Sequence, residues 1–274
     1  MNIRKKTRSL TFLGVIIAIQ LVMTFMHIGF IKLPFLSATI LHIPVIIGAI
    51  FLGPIGGGIL GLVFGILSVV MSTIEPGITS FVFSPFYSVD GNSGNMWSLV
   101  VAIVPRIMIG ITSYYTYHFI SNFEKNKVFS YSILGIMVFV ISYYAYQLGG
   151  MIDMGTLVPY IAAGATFILI VYGAYKIRTK LSSNKWFPYA AAGVVGSATN
   201  TILVMSFIYI FFGNTGLYAE VSQNGIGAIF NAIGLVVLTN GIPEAIAAAL
   251  IVSSVGRALR KAFKSDFMLN KKEE

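Results

Sequence analysis

The stretch Val237-Leu238-Thr239-Asn240-Gly241-Ile242-Pro243-Glu244-Ala245-Ile246 decides how the chain is read. It lies inside an apolar run from about Ala228 to Val255, and a run of that length is a transmembrane helix candidate. An amide, a proline and a carboxyl group stand in its middle. An ionisable side chain at membrane depth is expensive, so one that persists faces a cavity or a partner. Pro243 has no backbone donor and therefore frees the carbonyl of Thr239. The helix thus carries spare polar groups where lipid cannot satisfy them. They read as part of a solute-binding site, and the remaining chain as the bundle that encloses it.

Composition supports the membrane reading. Hydrophobic residues make up 57% of the chain and charged residues 10%, against roughly 25% charged in an average soluble domain. The chain is therefore an all-α integral membrane protein. The absence of cysteine excludes disulfides and thiol ligands. His27, His42 and His118 are too far apart in sequence for a metal cluster, and neither metal nor cofactor is expected. A net charge of +9 could point to nucleic acid. The basic residues, however, sit in short flanks of apolar runs, where they orient a membrane protein.

From the N-terminus, Arg4, Lys5, Lys6 and Arg8 precede a run from about Leu10 to Phe30. The run lacks a small-residue cleavage site and is too long for a signal peptide core, so it is the first helix. Gly14 and Ala18 share one face of it, and small residues at that spacing let another helix approach closely. The second segment, Ile40 to Leu52, is short for a bilayer, about 20 Å against ~30 Å. It should tilt or be continued by residues 37–39. His42 and Pro44 stand near its start. Residues 53–58 (Gly-Pro-Ile-Gly-Gly-Gly) form a tight connection. They lack the lysine and flanking strand of a phosphate loop. The third helix runs from about Ile59 to Ile74, with Gly57, Gly61 and Gly65 giving a smooth face for packing.

Residues 75–96 break the pattern. The segment is long, aromatic and polar, and contains no Lys or Arg. Long ordered loops are commonly functional, lids among them, while aromatic rings also mark the membrane interface. One loop can do both. The fourth helix, about Met96 to Phe119, carries Pro105-Arg106. Arg106 is too deep for easy snorkelling, and its guanidinium suits bidentate carboxylate binding. It either pairs with Glu244 or binds an anionic solute. Two further runs, about Phe129–Leu148 and Leu157–Lys176, precede a seventh, about Phe187–Phe212, which places Asn200 at bilayer depth. Asn there is commonly a helix–helix hydrogen-bonder. A polar loop, 213–226, leads to the eighth run and a basic tail.

The charges test this map. Four Lys and Arg precede the first run, two follow the fourth, four lie between the sixth and seventh, and six follow the eighth. Only Lys32 falls on the other side, and Arg106 lies within. The positive-inside rule then gives eight spans with both termini cytoplasmic.

Several segments together resemble one family. They are His42 to Gly48, Leu52-Gly53-Pro54, Thr79 to Phe86, Gly196 to Thr201 and Thr239 to Glu244. This set is similar to the substrate-binding subunits of energy-coupling factor (ECF) vitamin transporters, and within them to the pantothenate-type branch. The resemblance covers about 1–124 and 186–258. It implies a six-helix bundle made from runs one to four, seven and eight, with 125–185 as an inserted helical hairpin and 259–274 as a basic cytoplasmic tail. It implies a cell-membrane binding subunit with no energy source of its own, which captures a vitamin and joins a transmembrane coupling subunit and two cytosolic ATPases. The family's first helix meets the coupling subunit through an Ala-x-x-x-Ala face, which Gly14 and Ala18 match with one glycine. The expected substrate-binding residues are Arg106, Asn200, Asn240, Glu244 and His42, with Phe83 and Ser84 from the loop.

The chain has no Gly-x-x-x-x-Gly-Lys-[Ser/Thr] phosphate loop, consistent with a partner that hydrolyses ATP. Two other classes compete. A stand-alone secondary transporter would show internal repeats and broken helices, and no convincing repeat is present. An intramembrane enzyme could use Glu244 and His42 as an acid–base pair, but no nucleophile or metal constellation surrounds them, so the chain is not read as an enzyme. Another water-soluble vitamin or precursor remains possible as the solute.

Overall fold

The computed structural model describes residues 3–27, 30–32, 37–89, 91–123 and 186–263. The expected hairpin, 125–185, and the tail beyond 263 lie outside the described residues. The chain divides into two compact units: Met1–Tyr117 with Tyr189–Glu274, and His118–Pro188. Of the second, only the last turn of one helix and the start of another are described. The first unit holds the bundle.

In chain order the elements are α1 (Ile3–Phe25), strands β1 (Phe30–Lys32) and β2 (Ser37–Thr39), and α2 (His42–Ile74). A short 3-10 turn (Ser80–Val82) and strands β3 (Ser88–Val89) and β4 (Asn92–Ser93) follow, then α3 (Met96–Phe123) and α4 (Phe187–Phe212). The last are α5 (Gly216–Gln223), α6 (Ile226–Val236), a π-turn (Val237–Gly241) and α7 (Ile242–Ala262). Among the described residues five helical stretches are long and apolar enough to cross a membrane, α6 to α7 counting as one. The protein is therefore multi-pass.

The stretch α2 is two helices rather than one. Gly53 sits at φ 85°, ψ 178°, a conformation only glycine adopts readily. Pro54 then occupies the first turn of the next helix, where its missing N–H is not needed. The chain doubles back there. A Cβ on Gly57 would lie 2.5 Å from the Ala49 Cβ, and one on Gly48 would strike the Leu60 side chain. In a continuous helix Gly48 and Leu60 would be about 18 Å apart. The described unit thus supplies six helical segments. The first half of α2 is buried along its whole length, from His42 to Phe51. A helix that is apolar all round belongs in a core, so its shortness needs no tilt.

Several boundaries differ from the sequence expectation. The first helix ends at Phe25, and Phe30 belongs to β1. Residues 37–39 do not extend α2; they pair with β1, Phe30 opposite Thr39 and Lys32 opposite Ser37. The third helix begins at Pro54, since Gly56 to Gly58 continue it rather than forming a connection. The polar loop 213–226 contains α5, an amphipathic helix whose Tyr218 packs on Phe81 and Tyr209.

The glycine stripe of α2 is the closest helix contact. A Cβ on Gly65 would lie 2.9 Å from the Ile103 Cα. One on Gly61 would collide with the Arg106 carbonyl and Ile107 Cα, and Gly57 meets the Gly110 backbone. Three glycines four residues apart therefore seat α3 by its backbone at matching intervals. Gly193 does the same for α7, where an added Cβ would be 2.8 Å from the Ala248 carbonyl oxygen. Helices in lipid gain from such close van der Waals approach because no hydrophobic force drives them together.

Gly14 offers the internal comparison, because nothing lies within 4 Å of a Cβ built there. Gly61→Leu should destabilise the detergent-solubilised protein by about 1–3 kcal/mol or more through overpacking, seen as a lower thermal midpoint. Gly14→Leu should leave the midpoint unchanged. Equal midpoints for the two variants would contradict the packing described.

Candidate functional site

The apolar interior is split in two. One cluster includes Ile16, Phe51, Ile109, Tyr117, Tyr189, Ala192, Ala248 and Val252. The other, at the end closed by the loops, includes Phe81, Val82, Val101, Val204, Ile208 and Phe212, with Val236 packed against it. Three helices run from one cluster to the other. Along α3 the order is Val101, Arg106, Ile109; along α4 it is Ala192, Asn200, Val204; along the last span it is Val236, Asn240, Glu244, Ala248. In each helix the polar residues fall in the interval between the clusters. At 1.5 Å per residue that interval is about 12–18 Å deep.

Arg106 is buried, 5% exposed. Its position follows from its neighbour. Pro105 cannot donate to the carbonyl four residues back, which is Val101, and the Arg106 guanidinium donates to that carbonyl through Nη1 at 2.8 Å. Nη2 lies 3.4 Å from Ser68 Oγ. The Phe83 and Phe64 rings sit 5.2 and 5.4 Å from the guanidinium carbon, within cation–π range. Nε has no partner. No carboxylate among the described residues is within ion-pair distance of Arg106. Glu244 is near enough only to act through its field.

Glu244 is held by another group. Its Oε1 accepts the backbone N–H of Thr39 at 2.7 Å, so the hairpin of β1 and β2 delivers Thr39 into the bundle. His42 lies one turn further on, with its ring against the Thr39 backbone. That contact falls short of hydrogen-bond geometry, and both ring nitrogens are unpartnered. The π-turn precedes Glu244, with the Ile242 N–H reaching back five residues to Val237. The widened turn follows from Pro243, and such turns recur at functional sites. Asn240 is buried in it, and Gly241 faces Thr201, whose methyl would lie 3.5 Å from a Cβ added at Gly241. Asn200 is the neighbour of Thr201 in α4, buried with Oδ1 unpartnered.

Arg106 and Phe83 thus form one group, Glu244 and His42 a second joined through Thr39, and Asn200 and Asn240 are the chain neighbours of Thr201 and Gly241, where α4 meets the π-turn. Ser84 is spent elsewhere. Its hydroxyl lies 2.6 Å from Thr73 Oγ1 and accepts the Phe86 N–H at 3.2 Å, which locks the loop to the end of α2. Gly14 and Ala18 are on the exposed face of α1. Thr39, Ser68 and the Val101 carbonyl escaped the sequence reading. The last was legible, since Pro105 marks the carbonyl it orphans.

The loop 75–95 belongs partly to the core. Phe81 and Val82 are buried in the second cluster and Ser98 Oγ donates to the Phe81 carbonyl at 2.8 Å. Phe86, at 78% exposed, projects from it. Ser84→Ala should therefore loosen the loop without touching the buried polar groups. Chymotrypsin should cut the solubilised variant after Phe86 several-fold faster than the parent chain, whereas an unchanged rate would show that the Ser84 bonds do not hold it.

A family model described as "ECF transporter, substrate-specific component" matches residues 8–152 and 132–256. The chain is 29% identical over 262 residues to the pantothenic acid transporter PanT of Lactococcus lactis subsp. cremoris (strain MG1363), an alignment covering 94% of this chain and 97% of that one. The matched residues reach into all six helical segments and include the buried polar residues between the clusters. With that coverage the chain belongs to the substrate-specific components of the ECF transporters.

Proposed function

We propose that this protein is the membrane-embedded, high-affinity binding subunit for pantothenate in an ECF-type importer. The observation that carries the reading is Arg106, a buried guanidinium with an unpartnered Nε and no direct carboxylate partner. A buried cation left without a counter-charge is costly, and an anionic solute supplies one. Pantothenate has one carboxylate, one amide and two hydroxyls. Arg106 takes the carboxylate. Asn200, Asn240 and Glu244 hydrogen-bond the amide and hydroxyls, with His42 beside them and Phe83 over the guanidinium. The name of the Lactococcus lactis relative supports pantothenate, and that alignment runs across 125–185 as well as the helices on either side.

On this reading both termini are cytoplasmic, and the loop end of the bundle, with residues 79–95 as its cover, faces outward. The subunit joins a transmembrane coupling subunit and two cytosolic ATPases. The face of Gly14 and Ala18 is the coupling contact. It is exposed, and its neighbours Val15, Ile19 and Val22 are exposed as well.

Calorimetric titration with pantothenate, and with its alcohol analogue that lacks the carboxylate, tests the solute assignment. The parent chain should prefer pantothenate. Arg106→Ala should cost roughly 3–5 kcal/mol, more than a hundredfold in affinity, and Asn240→Ala about 1–3 kcal/mol. Equal affinity of the parent chain for both solutes would remove Arg106 as the carboxylate receptor.

The coupling contact has its own test. Gly14→Leu should bind pantothenate normally as an isolated subunit and fail in ATP-driven uptake by vesicles containing all subunits, because the added side chain separates two backbones. Normal uptake would place the contact elsewhere. Uptake by the binding subunit alone on an ion gradient would favour a secondary transporter.

A further inference from the structure

The backbone N–H of Thr39 is committed to Glu244 Oε1, but its hydroxyl is not. Thr39 is 9% exposed and its Oγ1 is buried without a hydrogen-bond partner. Buried hydroxyls are nearly always paired, and an unpaired one calls for an explanation. Valine would fill the same place in a strand at no desolvation cost.

The groups around it have the same need. Neither His42 nitrogen has a partner. Glu244 has one oxygen bound to Thr39, and Oε2 holds no protein hydrogen bond among the described residues. The hydroxyl, the imidazole and the carboxyl thus belong to three residues that meet at the Thr39 backbone. A carboxyl oxygen calls for a donor, whereas the threonine hydroxyl and an imidazole serve donors and acceptors alike. A solute hydroxyl is both. A second carboxylate would be repelled by Glu244, and an apolar group would leave all three unsatisfied.

We propose that Thr39 is a specificity-determining residue whose Oγ1 binds a hydroxyl of the solute, in a subsite shared with His42 and Glu244. This rests on the pantothenate reading and adds a direction to it: the diol end of the solute lies at Thr39 and the carboxylate at Arg106.

The test compares pantothenate with its dideoxy analogue, which keeps the carboxylate and amide but lacks both hydroxyls. Affinities are measured by calorimetry on the full solubilised chain, with competition for the weaker solute. The parent chain should prefer pantothenate by more than about tenfold, the scale of a lost buried hydrogen bond. Thr39→Val should weaken pantothenate about tenfold, leave the dideoxy analogue unchanged and so shrink the preference. Thr39→Ser, which restores the hydroxyl, should recover most of it. The subsite is overturned if Thr39→Val binds pantothenate as tightly as the parent. Equal binding of both solutes by the parent chain overturns it without any variant. If the parent chain binds no pantothenate at all, the underlying assignment fails first.

Discussion

A guanidinium cannot be discharged in a protein, and Arg106 is buried. Everything around it can be read as a way of tolerating that charge. Pro105 frees a carbonyl for it, Ser68 offers a hydroxyl, and two phenyl faces cover it. The glycine stripe of α2 fixes the height of α3, because Gly61 rests directly on the Arg106 backbone. A larger residue there would displace the charge as well as the helix. The constraint is therefore shared between packing and function: the contact that holds α2 to α3 also sets where a carboxylate could be received.

The division of the core into two apolar clusters has the same consequence on a larger scale. A single continuous core would leave no room for a solute among six helical segments. Here the cluster near the chain ends is sealed by aromatic contacts among Phe12, Phe51 and Phe263 and by the Tyr117–Tyr189 pair. The cluster at the other end is completed by the 3-10 turn, through Phe81 on Phe212. The loop is thus a structural part of the second cluster. His27, at the end of α1, holds the Glu75 carboxylate at 2.7 Å and ties two helix ends together beside it.

Much of this was legible in the sequence, for identifiable reasons. Long apolar runs bounded by basic flanks gave the helices, and the seventh run ends where α4 ends because the helix-breaking pair Gly213-Asn214 follows Phe212. Proline and glycine inside an apolar run marked the helix reversal at Gly53, whereas Pro243 marked only a freed carbonyl and not the π-turn before Glu244. The strand Ser37–Thr39 was not legible. Its partner Phe30–Lys32 begins at the end of what reads as the first apolar run, and its Thr39 N–H is bound by Glu244, 205 residues away. Local propensity has no access to such a contact. Ser84 shows the opposite: a serine in an aromatic loop suggests a ligand group, and the structure gives its hydroxyl the Thr73 hydroxyl and the Phe86 N–H as partners. The buried polar residues were legible as a set of charges and amides, and their geometry was not.

The central claim is that Arg106 receives the carboxylate of the bound solute. Solid-state NMR on the protein in lipid bilayers, with pantothenate labelled with carbon-13 at its carboxyl and the arginines labelled with nitrogen-15, measures this directly. A bidentate contact places the carboxyl carbon about 4 Å from the guanidinium nitrogens. The account predicts strong carbon–nitrogen dipolar dephasing that disappears in Arg106→Lys, since lysine carries no labelled guanidinium. Bound pantothenate whose carboxyl shows no such dephasing in the parent chain would contradict it.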